Sequence, residues 1–158
     1  MKKNIIFISA LLLMSLVLTA CGQAFAEKSM NSELRNLSGN QVAVKIGEIE
    51  FTIDLYDNET AKDLLAQLPL TLMVNNYAGY DEKVVRLKSP LSMKGAPSGD
   101  NPGIPEFGYY HPGKWLAIYY GHIGYWSGKV PLGRINASVE QLRVIPDNAP
   151  ITMELVKQ

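Results

Sequence analysis

Strict alternation opens the folded part of this chain. Val42, Val44 and Ile46 alternate with polar or small residues, and Ile49, Phe51, Ile53 and Leu55 then alternate with Glu50, Thr52 and Asp54. A period of two sends one face of each run to a core and the other to water, which predicts a pair of strands. Gly47-Glu48 between them is a glycine-first pair that suits a type II′ hairpin turn. The period then changes. Ala61, Leu64, Leu65 and Leu68 fall on one face of a helix that Asn58 or Asp57 can cap and that Pro69 stops. Strands follow over Leu70 to about Asn75 and over Lys83 to Leu87, separated by the turn Asn76-Tyr77-Ala78-Gly79.

Lys88 to Glu106 is different, because seven prolines and glycines interrupt it and no apolar period runs through it. Loops this long are uncommon in compact domains, and the reading is either a wall for a groove or a solvent-exposed excursion. Phe107–Tyr110 and Trp115–Tyr120 then read as paired strands around His111-Pro112-Gly113-Lys114. The second of these is apolar or aromatic on both faces, which predicts a central strand with little exposure. Gly121, Gly124, Gly128 and Gly133 predict repeated turns. Ser138 and Gln141 have capping-box spacing for a short helix, and Ile151, Met153 and Leu155 alternate in a closing strand. Many short strands with two helices predict a mainly β fold, a barrel or strongly coiled sheet plugged by helices.

The start of the chain carries a different pattern. Lys2 and Lys3 precede an apolar stretch from Ile5 to Leu18, too short for a comfortable membrane span and suited to a signal-peptide core. It runs into Leu18-Thr19-Ala20-Cys21, which resembles the lipobox of bacterial lipoproteins. That resemblance implies a signal peptide over 1–20, lipid on Cys21, and export to the outer face of the cytoplasmic membrane or to the outer membrane. Gly22 is not the aspartate that resembles an inner-membrane retention signal. Plain secretion, with cleavage after Ala24-Phe25-Ala26, is the rival reading. Residues 21–40 are polar and aperiodic and read as a spacer, which leaves 41–158 as the folded domain.

Charge and cysteine usage narrow the function classes. The chain has 15 basic and 15 acidic side chains, and loss of Lys2 and Lys3 with the leader leaves a net charge near −2. No basic run stands out, which argues against nucleic acid as a partner. Cys21 is the only cysteine, so a lipidated chain forms no disulfide and offers no thiol nucleophile.

The order of the motifs resembles a known family. The alternating pair around Gly47 is followed by Asn58-Glu59-Thr60-Ala61, leading to Leu68-Pro69-Leu70. Gly95-Ala96-Pro97-Ser98-Gly99 and Gly108-Tyr109-Tyr110-His111-Pro112-Gly113 come next, then Leu116-Ala117-Ile118-Tyr119-Tyr120 and Leu132-Gly133-Arg134-Ile135. Together, from about Val42 to Val156, they resemble the bacterial cyclophilin-like proteins. The resemblance implies a cyclophilin-like closed β-barrel with two short helices. True cyclophilins carry a Phe-His-Arg motif that supports prolyl isomerisation and a later Gln-Phe-Phe stretch that lines the proline pocket. Neither occurs in this sequence. Arg86 and Arg134 fall on predicted strands without those flanking residues, so an isomerase reading rests on analogy of fold.

No strong catalytic set stands out, and no cofactor is expected. His111 and His122 sit in turns and could bind a metal with Asp100 or Glu106, but their spacing matches no established site, and surface histidines are the preferred reading. Asp81-Glu82 reads as a solvated pair in a polar turn, and no Gly-x-Ser-x-Gly elbow is present. The tyrosines and tryptophans of the second half carry more weight, since such rings combine an apolar body with a polar tip. The preferred reading is a membrane-anchored binding module whose aromatic groove takes a peptide or small ligand without catalysis. Arg86, Tyr110, Tyr119, His122 and Trp126 are its candidate wall. The alternatives are a weak prolyl isomerase of the cell envelope and an accessory subunit that recruits a protein partner.

Overall fold

A computed structural model describes residues 33–157 of the chain. The expected signal peptide over 1–20, the lipidation site Cys21, the rival cleavage site and most of the spacer lie outside the described residues. Arg35 onward forms one compact unit.

Eight strands close into an antiparallel barrel in the order β1-β10-β3-β4-β7-β6-β9-β2. They are β1 (Leu37–Ile46), β2 (Ile49–Tyr56), β3 (Leu70–Asn76), β4 (Glu82–Arg86), β6 (Glu106–Tyr110), β7 (Trp115–Tyr119), β9 (Lys129–Asn136) and β10 (Ala149–Leu155). Two short strands, β5 (Gly99–Asp100) and β8 (Trp126–Ser127), pair with each other outside the barrel. Closure removes the free edges that an open sheet of this size would expose.

The alternation works as the pattern predicts. Val42, Val44, Ile46, Ile53 and Leu55 point inward and are buried, and Gly47 turns the hairpin at φ +59°. Glu48 has no positive φ, which fits the type II′ turn and not the type I′ turn. Leu116 and Ile118 of β7 join this interior while Trp115, Ala117 and Tyr119 face outward, yet all five are buried. A strand buried on both faces must be covered outside as well as inside.

Helix α1 (Glu59–Gln67) follows β2 and helix α2 (Val139–Arg143) follows β9. Because β2 and β9 run antiparallel, the two helices lie toward opposite ends of the barrel, where Ala61, Leu64 and Leu142 complete the interior. The Asn58 side chain caps α1 by accepting from Ala61 N at 2.9 Å, and its amide also donates to Pro131 O at 2.9 Å. Replacing Asn58 with alanine is expected to cost about 1–2 kcal/mol, read as a lower denaturant midpoint with an unchanged slope. The predicted capping box of α2 is present, with Ser138 and Gln141 exchanging bonds at 2.9 and 3.2 Å.

The structure corrects the predicted course of the first and ninth strands. Leu37 already pairs with Tyr56, so β1 starts inside the expected spacer. The glycine-punctuated stretch contains the eight-residue strand β9, with Pro131 and Gly133 inside it. β9 carries one extra residue where Phe107-Gly108 face Pro131, Leu132 and Gly133, and that bulge breaks the two-residue period. At Gly133 a Cβ would stand 2.7 Å from Asp54 O, so the glycine marks close strand packing and not a turn.

Candidate functional site

The outward face of β4, β7, β6 and β9 is built in three rows by the strand register. Glu82, Tyr119 and Glu106 lie side by side in one row. Val84, Ala117, Gly108 and Pro131 form the middle row, and Arg86, Trp115, Tyr110 and Lys129 form the third. Small side chains in the middle leave a trough between two rows of large ones. The Tyr119 ring leans into it, since a Cβ on Gly108 would stand 2.8 Å from Tyr119 Cε2 and 3.1 Å from Val130 O. Alanine at 108 must therefore push that ring aside. A loss of about 1–3 kcal/mol is expected in thermal unfolding.

Rings cover the trough. Trp126 is presented by the β5–β8 ribbon, where Asp100 pairs with Trp126, and Gly128 N and Ser127 Oγ both donate to Ser98 O, at 2.8 and 3.1 Å. Tyr110 touches Trp115 and Trp126, with centroids 4.9 and 5.6 Å apart, and Tyr77 touches the same two rings at 5.2 and 6.3 Å. Tyr80 packs edge-on against Trp126 at 5.0 Å and is itself 42% exposed. The long segment before β6 thus supplies one half of a ribbon that roofs this face, which accounts for the outer burial of β7.

Under the roof lie two groups of charges with opposite character. The first is fully paired. Arg35 donates to Asp100 Oδ2 at 2.8 Å and to both oxygens of Glu106 at 2.8 and 2.9 Å. Tyr56 and Gly103 N donate to the same Glu106 carboxylate at 2.9 and 2.7 Å. Burial works against the Arg35 charge, but the two carboxylates outweigh it and raise its pKa. Burial likewise raises Asp100, opposed by Arg35.

The second group is an ion pair without hydrogen bonds. Lys129 Nζ stands 4.0 Å from Glu82 Oε2, and these side chains are 2% and 0% exposed. Neither makes a hydrogen bond among the described residues, and the same holds for Tyr119 OH and Trp115 Nε1. Lys129 Nζ instead lies over the rings of Trp126 and Tyr119, 4.4 and 4.8 Å from their centroids. Burial pushes Glu82 up and Lys129 down, each partly offset by the other's charge. Burial also holds the Tyr119 phenol well above its ordinary value. Lys83, next to Glu82 but turned inward, shows what a satisfied buried lysine looks like. It donates to Asn76 Oδ1, Ile145 O and Arg143 O at 2.6, 2.7 and 3.3 Å.

Of the five candidate groove residues, Arg86, Tyr110 and Tyr119 lie on this face, with Trp126 over it. Arg86 stacks on Trp115 at 4.9 Å. His122 is exposed on the preceding loop and makes no hydrogen bond or ring contact with the other four. Arg134 is drawn away to Asp54 at 2.8 Å. His111 and His122 are exposed, Asp100 and Glu106 hold Arg35, and no metal-binding cluster forms among the described residues. Glu82 is a correction, since it is completely buried in β4 and not solvated in a turn. The set Glu82, Lys129 and Arg35 comes from three distant stretches, and only a strand register known in advance would have joined them.

An open hollow of about 510 Å³ lies across the barrel between β1, β2 and β10, lined by Leu37, Gln41, Asp54 and Leu155. No unpartnered buried polar side-chain atom lines it among the described residues, and Gln41 bonds Asp54 at 2.8 Å.

Comparison with known proteins agrees with this architecture. The model of the cyclophilin-like family matches residues 44–154. No curated protein sequence matches significantly. Among solved structures, the hypothetical protein AF2241 from Archaeoglobus fulgidus is similar at TM-score 0.57 and 19% identity, over 75% of this chain and 96% of that one. McbB, solved in complex with tryptophan, is similar at TM-score 0.50 and 12% identity, over 72% of this chain and 44% of that one. At these identities the two structures show a shared fold. The match over most of the barrel shows that the chain belongs to the cyclophilin-like family.

Proposed function

We propose that this protein is a membrane-anchored, extracytoplasmic binding module. Lipid on Cys21 tethers the barrel, and the outward face beneath Trp126 takes up a peptide or small ligand without turning it over. One observation carries the reading. All five buried side-chain polar atoms that lack a hydrogen-bond partner among the described residues belong to this face: both Glu82 oxygens, Lys129 Nζ, Tyr119 OH and Trp115 Nε1. Buried polar groups are nearly always satisfied, and each orphan costs about 1–3 kcal/mol, so a cluster of them under aromatic rings suits a ligand that supplies the missing bonds. Arg86 stands exposed at the rim of this face and stacks on Trp115.

The test uses Xaa-Pro peptides added to the protein, with the peptide's cis–trans exchange peaks and the protein's amide signals followed in one NMR sample. Shifts confined to this face with unchanged exchange support binding without catalysis. Accelerated exchange establishes the isomerase instead, and an unshifted face removes peptide as the ligand. The tether is tested separately: Cys21→Ser is expected to move the protein from the membrane to the soluble fraction after cell breakage.

A further inference from the structure

We infer that the trough under Trp126 is a clamp for a small zwitterion, an α-amino acid with an apolar or aromatic side chain. This rests on the binding reading above and adds the chemical class of the ligand. Glu82 and Lys129 are opposite charges withdrawn from water, 4.0 Å apart, with no hydrogen bond between them or to any neighbour among the described residues. By contrast, the exposed pair Lys45–Glu50 closes to 2.6 Å. A buried pair repays its desolvation only when its remaining donors and acceptors are met.

The pattern of what is missing describes the ligand. Glu82 and Tyr119 come from one row, while Lys129 and Trp115 come from the row on the other side of Val84, Ala117 and Gly108. Glu82 offers two acceptor oxygens, Lys129 three donors and Trp115 one. A ligand ammonium donates to Glu82, and its carboxylate accepts from Lys129 and Trp115 Nε1. Because Glu82 and Lys129 cancel each other's charge, a ligand of zero net charge enters without leaving an uncompensated one. The ligand's aromatic or branched alkyl side chain then meets Tyr110, Tyr77 and Trp126, the two tyrosines each contacting Trp126. Entry requires both covering rings to move: Trp126, which lies 4.4 Å from the Lys129 ammonium, and Tyr119, which leans into the trough over Gly108.

The chain's two tryptophans, Trp115 and Trp126, both belong to this face, so their emission reports on it. The experiment titrates full-length protein in detergent micelles with L-phenylalanine, N-acetyl-L-phenylalanine and L-phenylalaninamide, reading tryptophan emission. The acetyl derivative lacks the ammonium and the amide lacks the carboxylate. The clamp predicts saturable change with the free amino acid and at least about tenfold weaker binding for each capped form. The double variant Glu82→Leu/Lys129→Met, checked for its fold by circular dichroism, is expected to lose that discrimination. Equal affinity for capped and free forms overturns the clamp while leaving the groove reading intact. The same holds if peptides shift the face and no amino acid does. If neither peptides nor amino acids perturb it, both readings fall.

Discussion

Replacing Arg35 with alanine is expected to cost about 3 kcal/mol of folding stability and to lower the melting temperature by about 10 °C. The guanidinium bridges Asp100 and Glu106 through three bonds of 2.8–2.9 Å, and both acids are almost wholly buried. Without Arg35, two neighbouring carboxylates face each other in a poorly solvated site, retaining only Tyr56 and Gly103 N as donors to Glu106. Breaking such a network is far more damaging than losing an exposed pair such as Lys45–Glu50. Arg35→Lys is expected to restore less than half of the loss, because one ammonium cannot reproduce the planar, forked contact with Glu106. Urea unfolding of the three proteins checks this, and an Arg35→Ala midpoint equal to wild type contradicts it. Asp100 pairs with Trp126 in the roof ribbon, so the same variant should also loosen that ribbon. A chain shortened to begin at Asn40 is expected to show the same weakness, since it lacks Arg35 and the start of β1.

The second large effect is expected at Lys129. Lys129→Met should cost about 3 kcal/mol at neutral pH by stranding the buried Glu82 carboxylate. Glu82→Leu/Lys129→Met should come within about 1 kcal/mol of wild type, or exceed it, because the pair is replaced by apolar volume. The pH dependence separates this account from a simple packing defect. Burial raises Glu82 above its unfolded value, and Lys129 partly offsets that rise. A carboxyl with a raised native pKa destabilises when ionised, and its penalty fades as pH falls toward the unfolded value of 4.5. Removing Lys129 enlarges the rise, so the deficit of Lys129→Met should shrink as pH is lowered from 7 toward 4.5. A deficit independent of pH would assign the loss to packing alone. A double variant at least as stable as wild type would mean that folding stability does not require the pair.

Much of the fold was legible because it is written in local periods. The β1–β2 hairpin, both helix caps and the doubly buried β7 each follow from residues close in sequence. β9 was not, since its bulge hides the alternation behind Pro131 and Gly133. The site was half legible for a related reason. Tyr110, Tyr119 and Trp126 attract notice as rings, and Arg86 as a charge on a strand, so side-chain chemistry alone picked them out. Glu82 looked solvated beside Asp81 because its burial is set by Tyr119 and Lys129, 37 and 47 residues further on. Arg35 sat in a polar stretch without periodicity, and only the closed barrel brings it to Asp100 and Glu106.

The most direct test of the central claim follows the two indole N–H signals and the backbone amides of the protein as peptides and amino acids are added. The account predicts that the Trp115 and Trp126 indoles move first, together with amides of residues 82–86, 106–110, 115–119 and 126–129. Shifts clustered instead around Leu37, Gln41, Asp54 and Leu155 would place binding in the open hollow across the barrel and contradict it.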